Sequence, residues 1–288
     1  MSNINELTTA KSEIKTALEN KGCVIDVGMI GYAEKIRGIR LLDDVNSVVD
    51  FKSWMTFEGS TASDATLYEM FNKVYDTGPY GGRYDFKRLF YGCENLVTAP
   101  SLLGKNTVKP CSCSWMFCGC KNLGTAPDMD TSMCCDFARM FDGCSSLTSV
   151  PKYTMMCKPS DNDGISVAFM FNGCSSLTSV PQFDFSKMTY INGVFFNCSE
   201  LTDIGGLNDY GREKNAGVNP TPHHLYGPFY GCKKISRDSM LNIFNGLYDR
   251  AASGYSTPTI YFDPEVMARL TDTDVAIAVR KGWVIVSN

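Results

Sequence analysis

Histidine is almost missing from this chain of 288 residues: there are two, adjacent at His223 and His224 in a Pro-flanked stretch. That scarcity excludes a paired-histidine zinc-protease helix and leaves little for imidazole acid–base chemistry. Successive residues rarely aim at one metal, so the pair reads as an exposed or partner-facing loop. Long apolar runs are also lacking, and no stretch approaches the roughly 18 residues that suggest a membrane-crossing helix. Charge is modest, 20% of residues with a net of −4, and no basic stripe of the kind duplex nucleic acid requires is present. The opening Met1-Ser2-Asn3-Ile4 has no charged segment followed by an apolar one, so a cytosolic product without a secretory leader is expected. No nucleophile elbow or P-loop occurs, and the carboxylates form no recognisable acid/base pair. A non-enzymatic chain without cofactor or metal is expected.

What the chain has in excess is cysteine, thirteen residues, and a phrase that carries six of them. Phe, two variable residues, Cys, two more, then Leu or Ile recurs as Phe90-Cys93-Leu96, Phe117-Cys120-Leu123, Phe141-Cys144-Leu147, Phe171-Cys174-Leu177, Phe195-Cys198-Leu201 and Phe229-Cys232-Ile235. Self-similarity at a few tens of residues marks stacked repeats in which equivalent positions lie above one another. These eighteen residues are therefore the expected core, the cysteines serving as small buried hydrophobes in a reduced column. Steps between the cysteines are 27, 24, 30, 24 and 34 residues. A 24-residue unit with loop insertions accounts for them. Gly92, Gly119, Gly143, Gly173 and Gly231 each precede the cysteine, consistent with a tight turn that needs a residue without Cβ. Leu147-Thr148-Ser149-Val150-Pro151 and its near copy at 177–181 read as a strand with one buried face, ended by Pro.

Four regions follow. Residues 1–42 are helical and unlike the rest, with Ile4, Leu7, Ile14 and Leu18 on one face and a second short helix near Tyr32 and Ile36. Two short helices make a poor core alone, so these six residues are candidates for attachment to another chain. Residues 43–82 form a linker and N-terminal cap, 83–245 the array, and 246–288 a C-terminal cap. A helix is expected around Met240–Leu247, leading into that cap, and a strand at 259–262 within it. Asp263-Pro264 should start a further helix, Thr271 with Asp274 makes a capping box, and 283–286 is a closing strand.

Denser cysteine groups at Cys111/Cys113, Cys118/Cys120 and Cys134/Cys135 are spaced too tightly for common zinc motifs, and one member already belongs to the core column. Asp161-Asn162-Asp163-Gly164 lacks the later acidic positions of a calcium loop and reads as a solvated turn. Trp54, Tyr80, Tyr84, Trp115, Tyr226 and Tyr255 lie outside the repeat slots, where they either pack locally or present contact surface.

The phrase at Met170–Pro181, Met-Phe-Asn-Gly-Cys-Ser-Ser-Leu-Thr-Ser-Val-Pro, closely resembles the BspA-like class of leucine-rich repeats, common in Bacteroides surface proteins and in phages of those bacteria. The resemblance covers about 83–245 and implies an α/β repeat solenoid. Leu270 to Trp283 resembles the segment that often closes such arrays. Lys11 to Gly22 and Gly31 to Ile36 resemble the opening of many tailed-phage virion proteins, a segment that fastens a variable domain to the particle. Together they imply a virion fibre, appendage or decoration protein, assembled in the host cytoplasm. Its N-terminus would hold other virion proteins, and its repeats would meet a host protein or glycan, with homo-oligomers expected. A bacterial surface adhesin is the alternative.

Overall fold

The computed structural model describes residues 83–99, 109–155, 164–212, 227–254 and 257–287. The attachment candidates Ile4, Leu7, Ile14, Leu18, Tyr32 and Ile36 lie outside these residues, as do the histidine pair, Asp161 to Asp163, Trp54, Tyr80, Tyr226 and Tyr255.

Ten short strands and four helices are present among the described residues. The strands are β1 (Arg83–Asp85), β2 (Lys109–Ser112), β3 (Ile165–Ser166), β4 (Ser179–Val180), β5 (Phe183–Asp184), β6 (Met188–Tyr190), β7 (Asp203–Ile204), β8 (Leu207–Asn208), β9 (Thr259–Phe262) and β10 (Val284–Ser287). The helices α1 (Arg237–Gly246), α2 (Arg250–Ser253), α3 (Pro264–Met267) and α4 (Asp272–Arg280) all fall after residue 236. Every strand pair is parallel: β1 with β2, β3 with β6, β4 with β7, β5 with β8, and β9 with β10. Isolated parallel bridges join Thr98 to Thr125, Thr125 to Ser149, and Ser149 to Ser179. Each unit thus meets its equivalent residues in the next.

The backbone around each Phe continues this pairing without regular strand geometry. Phe90 N–H donates to the Met116 carbonyl (2.8 Å), Phe117 to Met140 (2.8 Å), Phe141 to Met170 (2.9 Å), Phe171 to Val194 (2.9 Å) and Phe195 to Pro228 (2.9 Å). Side chains follow the same register. The Phe90, Phe117, Phe141, Phe171, Phe195 and Phe229 rings form one column with centroids 5.4 to 5.9 Å apart and planes within 16°. All six are buried, as are Leu96, Leu123, Leu147, Leu177, Leu201 and Ile235. Burial of each such side chain stabilises the fold by about 1.5–3 kcal/mol.

The cysteine column does more than fill space. Cys120 Sγ donates to the Phe90 carbonyl at 3.0 Å, Cys144 to Phe117 at 3.0 Å, Cys174 to Phe141 at 3.1 Å, Cys198 to Phe171 at 3.0 Å and Cys232 to Phe195 at 2.9 Å. Each of those carbonyls already accepts an amide from its own unit, as Phe117 does from Cys120 at 3.0 Å. The thiol occupies the second lone pair, which a buried aliphatic residue would leave empty. The six column cysteines are buried, and none of them is in a disulfide. Burial pushes the Cys120, Cys144, Cys174 and Cys198 thiols well above their ordinary value, which keeps them protonated donors.

One expectation is corrected in part, since the near copy at 177–181 does carry a strand, β4. Leu147–Val150 is not an alternating strand: Leu147 and Val150 are buried while Thr148 and Ser149 between them both face solvent. The Leu147 amide still donates to the Cys144 carbonyl (3.1 Å), so the chain is turning as it reaches the bridge, which is only one residue wide. Asp263 stands at the N-cap of α3 with Pro264 following, as expected, and its side chain makes no capping bond. Its carboxylate accepts the Gly231 amide at 2.8 Å instead.

That contact ends the stack. In earlier units the residue before the cysteine donates to the next unit's carbonyl: Gly92 to Cys118 (2.7 Å), Gly143 to Asn172 (2.7 Å), Asn197 to Tyr230 (2.7 Å). Gly231 finds the Asp263 carboxylate in that place, and the Phe262 ring takes the next position in the column, 5.0 Å from Phe229. The cap therefore copies one ring and one acceptor of a further repeat. The Thr271–Asp274 capping box forms as expected. Asp274 also receives Arg237 Nε (2.9 Å) and Nη2 (2.7 Å), which ties α4 to α1.

Candidate interaction surface

Two turns precede each repeat cysteine from Cys93 to Cys198. In the second, Phe141-Asp142-Gly143-Cys144, the Cys144 amide closes on the Phe141 carbonyl (3.1 Å or less throughout the series), and Gly143 takes φ +75°. A Cβ on Gly143 would meet only Gly119 Cα and N at 3.8 Å, so conformation rather than space selects glycine there. The first turn has the same form. Met140 closes on Phe137 at 3.1 Å, and the third residue again has positive φ, as type II turns require. Here the chain places Arg88 (φ 59°), Trp115 (59°), Arg139 (55°) and Phe169 (56°). The left-handed region disfavours an L-residue by about 1–2 kcal/mol. Gly193, at φ 57°, shows that the slot also accepts glycine.

The side chains of this strained slot meet those of the residue after each Phe. Arg88 lies over the Tyr91 ring (4.3 Å to the centroid), and Tyr91 leans on Trp115 (5.9 Å, 49° between planes). Arg139 is held between Trp115 (4.8 Å) and Phe169 (4.5 Å). Asp142 accepts Arg139 Nη1 at 2.5 Å and Asn172 Nδ2 at 2.6 Å. A Cβ on Gly193 would fall 2.5 Å from Phe169 Cε1, so the ring needs glycine beneath it. Farther along, Phe196 stacks on Tyr230 (5.0 Å, 15°). Tyr91, Trp115, Arg139, Phe169, Phe196 and Tyr230 are all half-exposed. They lie along the stack as a stripe of rings and guanidinium, in contact from Tyr91 through Trp115 and Arg139 to Phe169 and again between Phe196 and Tyr230.

The neighbouring hydroxyl face is different. Thr148 Oγ1 donates to the Gly124 carbonyl (3.2 Å), Thr178 to Thr148 (3.3 Å) and Thr202 to Thr178 (3.1 Å), with Ser145, Ser175 and Ser199 doing the same one column away. These hydroxyl hydrogens are committed to the chain's own backbone. Lys121–Glu94 and Lys234–Glu200 pair at 2.7 Å on the exposed bend beside them.

Of the aromatic residues singled out in the sequence, Tyr84 lies in β1 and Trp115 joins the stripe. Arg88, Tyr91, Arg139, Phe169, Phe196 and Tyr230 were not singled out. The signal was their register: all sit two residues before or one after a repeat Phe, in slots that vary while their neighbours do not. Among the described residues no group of three or more His, Cys, Asp or Glu is arranged to hold a metal ion. No helix among them is long and apolar enough to cross a membrane. Compared with known proteins, the chain matches no family model, no curated protein and no solved structure.

Proposed function

We propose that the chain is a structural protein of a tailed-phage virion, a fibre, appendage or decoration, fastened to the particle by residues 1–42 and displaying residues 83–245 outward. On this reading the array is a solenoid of BspA-like leucine-rich repeats. The observation that carries it is the phrase at Met170–Pro181 set in a register where one unit's Phe, Cys and Leu lie over the next. The virion-like stretch at Lys11–Ile36 supplies the attachment half. A stack of this kind presents the same surface slots at every level. Several displayed copies then combine weak contacts through effective concentration, with no covalent chemistry required.

The test is removal of residues 1–42 from the gene in a phage that encodes the chain. Particles should assemble without the truncated protein, which should remain in the lysate in folded form. Normal incorporation of the truncated chain, or recovery of the intact one only in washed cell envelopes, would contradict the proposal.

A further inference from the structure

We infer that the stripe formed by Tyr91, Trp115, Arg139, Phe169, Phe196 and Tyr230 is a binding track for a linear polysaccharide. The inference rests on the display reading above and names the partner of the displayed surface. Three observations support it. First, the chain holds Arg88, Trp115, Arg139 and Phe169 at positive φ in a slot where Gly193 serves the same turn. Bulky residues are kept there against the backbone's preference, and what they have in common is the surface they build.

Second, the composition suits a sugar polymer. Half-exposed rings offer apolar surface to the C–H faces of pyranose rings. Arg139, Asp142 and Asn172 form one hydrogen-bonded group at the stripe's centre that can bridge vicinal hydroxyls. A few fixed polar groups among aromatic surface is the usual make-up of a small-molecule site. At the stripe's centre Arg139 is compensated by Asp142, so a strongly anionic ligand is not what that part selects.

Third, the shape is wrong for a folded protein. Five inter-unit steps of about 4.8 Å make a track about 24 Å long, and it is two side chains wide. That covers far less than the roughly 800 Å² per partner of a stable protein interface. A chain molecule lying along the stack meets similar groups at each level and gains from their number.

The experiment is native gel electrophoresis of the full chain through gels cast with dextran, mannan, galactomannan or polygalacturonate, with Tm recorded for each variant. At least one neutral polymer should retard the wild type. Trp115→Ala should weaken that retardation about ten-fold, while Thr178→Val on the hydroxyl face should leave it unchanged. Trp115→Phe, which keeps a ring in the stack, should still be retarded but lose the tryptophan fluorescence change that the polymer causes. Failure of all four polymers to retard the wild type overturns the inference. So does unchanged retardation of a folded Trp115→Ala chain, or saturation of the stripe by a proline-rich peptide that no polymer displaces. None of these results depends on the chain being found in virions, so the track and the display reading fail separately.

Discussion

Phe195 and Phe196 are consecutive residues with opposite roles. Phe195 is fully buried between Phe171 (5.6 Å) and Phe229 (5.9 Å) in the inner column. Phe196 is half-exposed and touches Tyr230 on the outer stripe. The inner slot holds the same residue in all six units. The slot after it holds Tyr91, Cys118, Asp142, Asn172, Phe196 and Tyr230. A stacked interior demands identity, because each ring must match the one above and below. The outer slot is bound only by the turn's backbone, so its chemistry is free to vary from level to level. The two regions divide the chain between holding the stack together and meeting whatever lies outside it.

The sharpest way to break this comparison is to truncate the pair separately. Phe195→Ala should destabilise the fold by about 3–5 kcal/mol, the usual result of removing a buried aromatic side chain. Phe196→Ala should cost about 0.5–1.5 kcal/mol, the worth of one surface aromatic contact. Urea unfolding followed by circular dichroism measures both. A thiol reagent adds a local readout. Cys198 and Cys232 should stay unreactive in the wild type and in Phe196→Ala, and become labelled in Phe195→Ala. Equal effects of the two substitutions would mean that the outer ring is as structural as the inner one.

The repeat was legible because its determinants are side chains of fixed type at fixed spacing. Phe, Cys and Leu announce burial whatever their surroundings, and the glycine before five of the six repeat cysteines announces positive φ. The cap elements were legible too: β9 spans Thr259–Phe262 and the Thr271–Asp274 box forms where it was expected. The thiol bonds were not, since nothing in a Cys-to-Cys interval tells that the Phe carbonyl of the preceding unit has a lone pair to fill. Asp263 was read from its immediate neighbour Pro264, but its partner Gly231 is 32 residues away. The stripe was hidden for a related reason. Its members share no residue type, and only the fold shows that Arg88, Trp115, Arg139 and Phe169 fall in one slot.

The terminus of the stack offers an intermediate case, where a polar side chain takes the part of a backbone group. Asp263→Ala should lower stability by about 1–3 kcal/mol, because it leaves the partly buried Gly231 amide without its acceptor. The loss should be local. Amide exchange should speed up across Phe229–Ile235 while Phe117–Leu147, three units away, keeps its protection. Asp263→Asn retains an acceptor oxygen and should recover much of the difference. Uniform acceleration across all units would mean that the end of the stack governs the whole, and that the repeats do not open unit by unit.

The smallest effect belongs to the outer edge of the cap, where Arg237 and the Thr271 amide hold Asp274. Hydrogen bonds from the Arg237 guanidinium, and then from the Thr271 backbone, bring its carboxyl down to about 2. A carboxylate whose pKa is depressed on folding stabilises the native state fully above its unfolded value, near 3.9, and loses that contribution as pH falls through the folded value. The window is therefore about pH 4 to 2. Wild type should exceed Asp274→Asn in urea midpoint at pH 6, and the gap should shrink as the pH is lowered through that window. Arg237 is half-exposed, so the gap should be modest even at pH 6, as solvent and salt screen such pairs. A gap that persists undiminished at pH 2 would place the stabilisation in the helix cap's geometry and not in its charge, which would align this surface site with the inner column after all.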